Sequence, residues 1–510
     1  MKKIFLKYFI FILLLTLNCF SMENEKSPKR EFRAVWIASV GNINWPSKQG
    51  LTIEEQKKEY IDMLNEIKAL KMNAVIVQVR PVGDRFYKSP SDEPWSKYLT
   101  GEAGKDPGYD PLKFLVDEAH KRNLEFHAWF NPYRVTFTKG EKLPKNHPAL
   151  KHKDWTVNYD GKLYYNPGVP AARNFTEKVI LDVVKNYDID AVHMDDYFYP
   201  YPARDKKKKD IPFPDREAYK KYGKGLTLDA WRRKNVDIFV ESLAKNIKKT
   251  KPYVKFGISP FGVWRNISDD STGSNTKAGV TNYDTLYADT RKWIKKGWID
   301  YIVPQIYWNF DFKVAPYATL VDWWQEEVSG SKTNLYIGHA AYRLGSNEAW
   351  KNEDELLNQI NYNRDNGRAL GSAYFGLDKI LNNSTNIKEN LKGKSYKNIA
   401  LPPKTPWIDE VAPSPVTNFK LNKVEDGVEL TWDDFPKNYV TYYAIYRSET
   451  PKIDVTDSRY LLETIRRDGE NKFVDRDVTD GKSYFYLVTA VDRVHNESKA
   501  SQPKKIFLKK

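Results

Sequence analysis

The sequence predicts an α/β protein: a (β/α)8 TIM-type barrel followed by an all-β C-terminal sandwich. Three observations predict it. Eight short apolar, β-branched and aromatic runs alternate with amphipathic stretches across residues 31–395. The runs have little polar alternation, as expected of strands buried on both faces of a parallel sheet. Beyond a Pro-rich segment the spacing changes to closely set strand-like runs separated by turn residues, the pattern of a sandwich. An open doubly wound sheet is the alternative for the first part; eight units and the lack of a Gly-rich first turn argue against it. At 510 residues the chain is long enough for a large domain and a second module.

The N-terminus comes first. Lys2 and Lys3 precede an apolar core, Ile4 to Leu17, too short for a comfortable membrane span, so residues 1–22 read as an export signal. The only cysteine, Cys19, closes Leu-Thr-Leu-Asn-Cys, which resembles a bacterial lipobox, although Asn18 stands where a small residue is expected. The expectation is export to the cell envelope, as a periplasmic or outer-membrane lipoprotein anchored by a lipid on Cys19, or secretion.

The strand runs are Arg33–Ser39, Ala74–Val79, Phe126–Phe130, Ala191–Met194, Val254–Ser259, Tyr301–Tyr307, Leu335–Gly338 and Ser372–Gly376. Amphipathic stretches lie between them: Ile53–Leu70, Pro111–Arg122, Leu228–Lys249, Thr285–Lys296, Ala318–Glu327 and Glu353–Asp365. In the first, Ile61, Leu64, Ile67 and Leu70 keep the spacing of one buried helical stripe. Residues 396–411 contain Leu401-Pro-Pro-Lys-Thr-Pro-Trp and read as a stiff linker. Residues 412–510 carry the runs Val416–Leu421, Gly427–Trp432, Tyr442–Arg447, Arg459–Ile465 and Ser483–Val491. With Trp432, Tyr446 and Tyr484 at the positions of a core Trp, a strand Tyr and a corner Tyr, this part resembles a fibronectin type III domain. Such a module is expected to act as a passive spacer.

Composition narrows the partner. Aromatic residues make up 14% (15 Trp, 33 Tyr, 24 Phe), a surplus that suits clefts where flat rings stack on sugar C–H faces. The formal charge of +15 favours an anionic partner: nucleic acid, membrane surface or acidic polysaccharide. No zinc-finger spacing or phosphate-cradling Gly-rich loop is present, so no nucleic acid and no cofactor is expected. The run Lys206 to Lys209 reads as a solvated loop.

In a (β/α)8 barrel the active site lies at the C-terminal ends of the strands. Strand 1 brings Arg33 and Trp36, with Asn42 and Trp45 beyond; strand 2 ends in Gln78 and Arg80. Strand 3 offers His127, Trp129, Asn131, Tyr133 and Arg134; strand 4 ends in His193, Asp195, Asp196 and Tyr197. Phe261 and Trp264 follow strand 5, Gln305, Tyr307, Trp308 and Asn309 follow strand 6, and His339 and Tyr342 follow strand 7. Buried polar groups are costly unless paired, so so many of them are hard to ascribe to packing.

Asp195 and Asp196 are the candidate catalytic pair. Glycosidic bonds break through an oxocarbenium-like transition state, usually between two carboxyl groups, one kept protonated by desolvation or a neighbouring negative charge. Strand alternation aims His193 and Asp195 inward and Asp196 sideways, and at a strand tip this relaxes so that both can face the cleft. If the substrate carries a 2-acetamido group, its carbonyl can be the internal nucleophile, with Tyr307 assisting. Otherwise a second carboxylate must come from another loop, with Glu93, Asp270 and Asp378 as candidates. A divalent-metal site is the rival reading, but no HExxH pattern accompanies the pair and no metal is expected. A purely structural pair is the third.

The stretches EFRAVWIASVGNINWPS, NAVIVQVRPVGDRFY, FHAWFNPYRV, YYNPGVPAAR, DAVHMDDYFYP, GISPFGVWRN and DYIVPQIYWNF, in this order, resemble the bacterial glycosyl-hydrolase-like family 10. The resemblance covers nearly all of residues 31–395. It implies an exported, often lipid-anchored barrel enzyme that cleaves peptidoglycan glycan strands, preferably strands stripped of peptides. It places the family's aspartate motif on Asp195 and Asp196, its Gln-x-Tyr-Trp on Gln305, Tyr307 and Trp308, and its Asn-Pro-Tyr-Arg on Asn131 to Arg134. The Lys-rich insert after strand 4 and the imperfect lipobox depart from it. A stripped strand exposes a lactyl carboxylate on alternate sugars, which Arg80, Arg134 and the Lys206–Lys209 loop are placed to meet. Three other readings remain: a non-catalytic glycan-binding protein, an envelope scaffold working through its sandwich, and a hydrolase of another exported polysaccharide.

Overall fold

A computed structural model describes residues 27–91, 93–434, 439–467 and 469–509. The expected export signal and Cys19 lie outside the described residues.

Eight parallel strands close into a barrel: β1 (Phe32–Ile37), β2 (Ala74–Arg80), β3 (Glu125–Phe130), β4 (Ala191–Met194), β5 (Lys255–Ile258), β6 (Tyr301–Ile302), β7 (Asn334–His339) and β8 (Ala369–Tyr374). Neighbours follow chain order around the ring, and β8 pairs with β1 through Phe32–Gly371 and Val35–Tyr374. Every residue of β1 to β5 is buried, as the unbroken apolar runs require. Parity divides them. Phe32, Ala34, Trp36, Ala74, Ile76, Trp129, Ala191 and Tyr301 pack inside the barrel. Val35, Ile37, Val75, Val77, Phe126 and Val192 face the helical layer.

The first helix, Ile53–Ala69, starts at a capping box in which Thr52 and Glu55 satisfy each other's backbone N–H, and it buries Tyr60, Leu64 and Ile67. The helix Pro170–Asn186, between β3 and β4, is absent from the sequence reading; Pro170 opens it, and Val179, Ile180, Val183 and Val184 are its buried face. Strand β6 is far shorter than the run Tyr301–Tyr307. Pro304 has no N–H to donate, and Gln305 resumes contact only as isolated bridges to Phe261 and Gly338. Two short ribbons, Thr156–Tyr159 with Lys162–Tyr165 and Ala203–Arg204 with Asp210–Ile211, elaborate the loops after β3 and β4.

Among the described residues the C-terminal sandwich has seven strands: β9 (Thr417–Val424), β10 (Gly427–Asp433), β11 (Val440–Ser448), β12 (Leu461–Arg466), β13 (Lys472–Asp475), β14 (Ser483–Asp492) and β15 (Lys504–Phe507). One sheet runs β9-β10-β13 and the other β12-β11-β14-β15. Trp432 packs edge-on against Tyr443 between the sheets, 5.0 Å between centroids, and the Tyr484 hydroxyl accepts from the Thr479 N–H at 2.9 Å. Tyr446 is on the other face of β11: with Tyr442 and Leu487 it covers Leu401, and its hydroxyl donates to Glu497.

That other face meets the N-terminal end of the barrel, so the module is docked on the barrel rather than held away from it. Arg493 Nε lies 3.1 Å from Asp190 Oδ1, Lys68 Nζ 2.9 Å from Glu463, and His495 Nε2 2.8 Å from Glu125 Oε1. The Pro-rich segment is packed rather than free. Its Leu401 bridges to Arg30, Asn73 Nδ2 donates to the Ala400 carbonyl at 3.0 Å, and Trp407 Nε1 donates to Asp300 at 2.9 Å.

Candidate active site

At the C-terminal end of the barrel a cavity of about 280 Å³ is lined by Trp36, Gln78, Trp129, Arg134, Asp195, Asp196, Tyr197, Gln305 and Tyr307, among others. A larger groove, about 800 Å³, runs on the flank between helices Pro170–Asn186 and Leu228–Thr250, but holds none of the strand-end side chains.

The two aspartates follow β4, whose parity points His193 inward and brings Asp195 over it. Asp195 accepts from three donors: Trp129 Nε1 at 3.1 Å and Asn131 Nδ2 at 3.3 Å on Oδ2, and the Tyr197 N–H at 3.2 Å on Oδ1. Asp196 accepts from the Tyr201 hydroxyl. Both are buried, 4% exposed. Burial raises both carboxyls, yet they are not equivalent. For Asp195, nearby Arg134 and the three donors oppose the rise by favouring the charged form. For Asp196, burial and then the charge of Asp195 push the carboxyl up to about 7, opposed mainly by the Tyr201 hydroxyl. Of the two, Asp196 is the more strongly raised and keeps its proton further up towards neutral pH.

This arrangement has a consequence for stability. A carboxyl whose folded value is raised above its unfolded value favours the folded state less as pH climbs between the two, here from about 4 to about 7. Asp196→Asn removes that burden, so the variant is expected to be more stable than wild type at pH 8, by on the order of a few kcal/mol, and no more stable at pH 4. Calorimetric melting of both proteins at the two pH values checks this; equal melting temperatures at pH 8 would contradict the proton assignment.

The remaining wall is aromatic. Arg134 lies 4.3 Å from the Tyr197 ring centroid, the Tyr307 ring stacks on Phe375 and meets Tyr342 edge-on, and Gln305 is fixed by donating to the Ser259 carbonyl at 2.8 Å. Gln78 accepts from the Val40 and Ser39 N–H groups at 2.9 and 3.2 Å, which shapes the loop after β1. Trp308 sits beside the cavity, edge-on to Phe261 and stacked with Phe312, which is 39% exposed.

Several expected site residues are elsewhere. Arg33 has outward parity at the base of β1, where it pairs with Glu31 at 2.7 Å and stacks on Tyr396. Arg80 is turned out by a register shift between Gln78 and Arg80 and forms a buried pair with Glu93, Nε to Oε2 2.9 Å. Tyr133 is buried behind the sheet against Phe239, and Trp264 is stacked on Trp323 outside the barrel. His127 and His193 lie inside the barrel but below the cavity, and Asn131 reaches it only through Asp195. Trp45 is buried and donates to Gln56, and His339 bonds Gln359 and Ser372. Of the candidate second carboxylates, Glu93 is held by Arg80, Asp270 by Arg265 and Thr272, and Asp378 begins the exposed side of helix Leu377–Leu381. Lys206–Lys209 form the exposed tip of the second ribbon and do not line the cavity. Sequence reasoning missed Tyr201, Ser259, Phe137 and Phe375. Ser259 and Phe375 fall at the ends of the fifth and eighth runs, and Tyr201 ends the aromatic cluster after the aspartates, so a signal existed for three of the four.

Among the described residues, no group of three or more His, Cys, Asp or Glu side chains gathers as a metal site would. A closed parallel barrel whose mouth holds two carboxyl groups of unequal proton affinity among aromatic rings defines a glycoside-hydrolase-like protein. Residues 31–356 match the family described as glycosyl hydrolase-like 10, and residues 416–508 match the fibronectin type III domain described as SaeA third domain. The chain belongs to the glycosyl hydrolase-like 10 family and carries a fibronectin type III domain. It is 52% identical over 492 residues to glycosyl hydrolase YngK of Bacillus subtilis (strain 168), covering 94% of each chain. It is 39% identical over 331 residues to glycosyl hydrolase DigH of Escherichia coli (strain K12), covering 61% of this chain and 74% of that one. Among solved structures, the PgaB (BpsB) glycoside hydrolase domain from Bordetella bronchiseptica aligns at a TM-score of 0.45 and 13% identity, over 72% of this chain and 99% of that one.

Proposed function

We propose that this protein is an exported hydrolase of the glycan strands of peptidoglycan, acting on strands free of peptides, with Asp196 as general acid and the substrate's acetamido group as nucleophile. One observation carries the mechanism: Asp195 and Asp196 are the only carboxylates among the described residues lining the cavity. An ordinary retaining mechanism needs a second carboxylate across the sugar. Here both stand side by side on one strand end, which suits a substrate that brings its own nucleophile.

In the first step the acetamido carbonyl oxygen bonds to the anomeric carbon as the glycosidic C–O bond breaks. Asp196 gives its proton to the leaving oxygen. Ionised Asp195 accepts from the acetamido N–H and stabilises the positive ring that forms, while the Tyr307 hydroxyl, kept neutral by burial and the nearby Asp196, donates to the acetamido oxygen beforehand. Water then attacks the anomeric carbon, returns a proton to Asp196 and reopens the ring. The aromatic lining lowers the local dielectric, which strengthens each of these interactions.

Arg134 supplies the substrate class. It is the only cationic side chain among the described residues lining the cavity, and a lactyl carboxylate on alternate sugars is a fitting partner. Arg134→Gln is expected to lower kcat/KM on peptide-free glycan strands by about 10- to 100-fold, the worth of one charge-assisted hydrogen bond, and to change chito-oligosaccharide turnover far less. Equal losses on both would remove Arg134 from carboxylate recognition.

The proposal is tested by incubating residues 23–510 with peptide-free and peptide-bearing strands and reading products by mass spectrometry. Disaccharide-based fragments from the peptide-free strands alone are expected. Products only from an unrelated N-acetylated polymer would retain the acid and discard the peptidoglycan assignment. Export and a lipid on Cys19 belong to the same proposal; fractionation of cells expressing wild type and Cys19→Ala tests them, with release of the variant from membranes as the expected result.

A further inference from the structure

His127 and His193 lie under the cavity and line none of it, yet both are fully buried and fully bonded. They belong to one chain of side chains through the middle of the barrel. At its lower end Glu125 accepts from Lys255 Nζ and from His495 Nε2 of the C-terminal domain, the latter at 2.8 Å. His127 Nε2 lies 3.2 Å from the other Glu125 oxygen, and His127 Nδ1 lies 2.8 Å from the Tyr301 hydroxyl. The same hydroxyl is 3.0 Å from His193 Nδ1. His193 Nε2 then meets Ser259 Oγ at 2.9 Å and Trp36 Nε1 at 3.3 Å, both in the cavity lining.

The polarity of the chain between Glu125 and His193 follows from the groups it joins. Burial pushes Glu125 up, but Lys255, His495 and His127 outweigh it and hold the carboxyl well below its ordinary value. A carboxylate only accepts, so His127 Nε2 carries the proton and its Nδ1 is bare. Burial lowers both imidazoles, so each is neutral and carries one proton. Tyr301 therefore donates to His127 and accepts from His193 Nδ1, which leaves His193 Nε2 bare. At the upper end, Trp36 Nε1 is a donor only and is matched by the same bare His193 Nε2. The opposite polarity would place two acceptors together at Glu125 and two donors together at Trp36. Gly257 leaves the space for the Tyr301 ring; a Cβ there would lie 2.0 Å from it.

We propose that the C-terminal domain sets the cavity floor through this one-way chain, with His495, His127, Tyr301 and His193 as positioning residues that orient the Trp36 indole and turn the Ser259 hydroxyl. Ser259 Oγ stands between the bare His193 Nε2 at 2.9 Å and the Met194 carbonyl at 3.3 Å, both acceptors, so its one proton is held below the floor and its lone pairs are what the floor offers to a hydroxyl or amide N–H of the bound sugar. The proposal rests on the glycan-hydrolase reading only for where its kinetic effect is seen.

The test uses the chain from residue 23 labelled with 15N-histidine. Long-range 1H–15N spectra, assigned with His127→Gln and His193→Gln, report the tautomers without any substrate. Wild type is expected to show His193 protonated on Nδ1 and His127 on Nε2; the reverse on either ring overturns the proposal. Tyr301→Phe and His495→Phe are each expected to bring in an Nε2-protonated form of His193 and to raise KM about fivefold with kcat within twofold. A loss of structure alone would reduce kcat through the active fraction and leave KM in place. Wild-type tautomers and KM in both variants would overturn the proposal. Failure of all glycans to react would count against the proposed function and leave the tautomer result standing.

Discussion

Asp196→Asn is expected to lower the rate of glycan cleavage by about 10²- to 10⁴-fold, the usual worth of a general acid, while glycan binding stays within a few-fold of wild type. An amide keeps the shape of the acid and still accepts from Tyr201, but it has no proton to give the leaving oxygen. The pH profile separates this role from a general structural one. The acid is active when protonated, and its carboxyl is raised to about 7 by burial and by Asp195, so kcat/KM should hold at pH 6 and fall about tenfold per unit above pH 7. Asp195→Asn withdraws the charge that helps raise Asp196, so any residual activity should lose that alkaline limb at a lower pH. Rates measured by product mass spectrometry between pH 5 and 9 decide the matter. A variant retaining a tenth of wild-type activity, or a wild-type rate rising through pH 9, would take Asp196 out of the chemistry.

The largest effect on stability is expected at Glu93→Ala. The Arg80–Glu93 pair is fully buried, and removing one partner leaves a guanidinium with no countercharge, at a cost of about 3–5 kcal/mol. Arg80 also donates to the Asn131 and Pro132 carbonyls, and Asn131 in turn holds Asp195, so the loss reaches the strand end that carries the two aspartates. The double variant Arg80→Met with Glu93→Leu removes both charges and should recover much of the stability. Urea unfolding of the three proteins gives the comparison. A Glu93→Ala cost under about 1 kcal/mol would mean that water reaches the pair.

The barrel was legible because its strands are unbroken apolar runs, and the site because barrels place polar residues at strand ends. That logic brings Asp195, Trp129 and Trp36 to the cavity lining, where the structure has them. The errors have one source: inward and outward neighbours alternate, and which parity faces in depends on register that a sequence does not display. Arg33 has the outward parity; Arg80 has the inward one and is turned out by a bulge. His127 has the right parity in the wrong layer, one pair of residues below Trp129. Tyr201 was passed over because it lies beyond the strand tip, on a loop whose path is set by contacts distant in sequence, such as the Tyr159 hydroxyl with the Ala203 N–H at 2.8 Å. The helix Pro170–Asn186 carries ordinary signals, a first-turn Pro and a periodic apolar face, and is legible in the sequence.

The docking of both chain ends at the barrel's base sets the orientation of the whole molecule. Arg30 pairs with Leu401, Lys29 with Glu497, and the C-terminal domain closes the same end, while the cleft opens at the opposite pole. An attachment made through the C-terminal domain would hold the protein by the foot and leave the mouth at the opposite pole unobstructed.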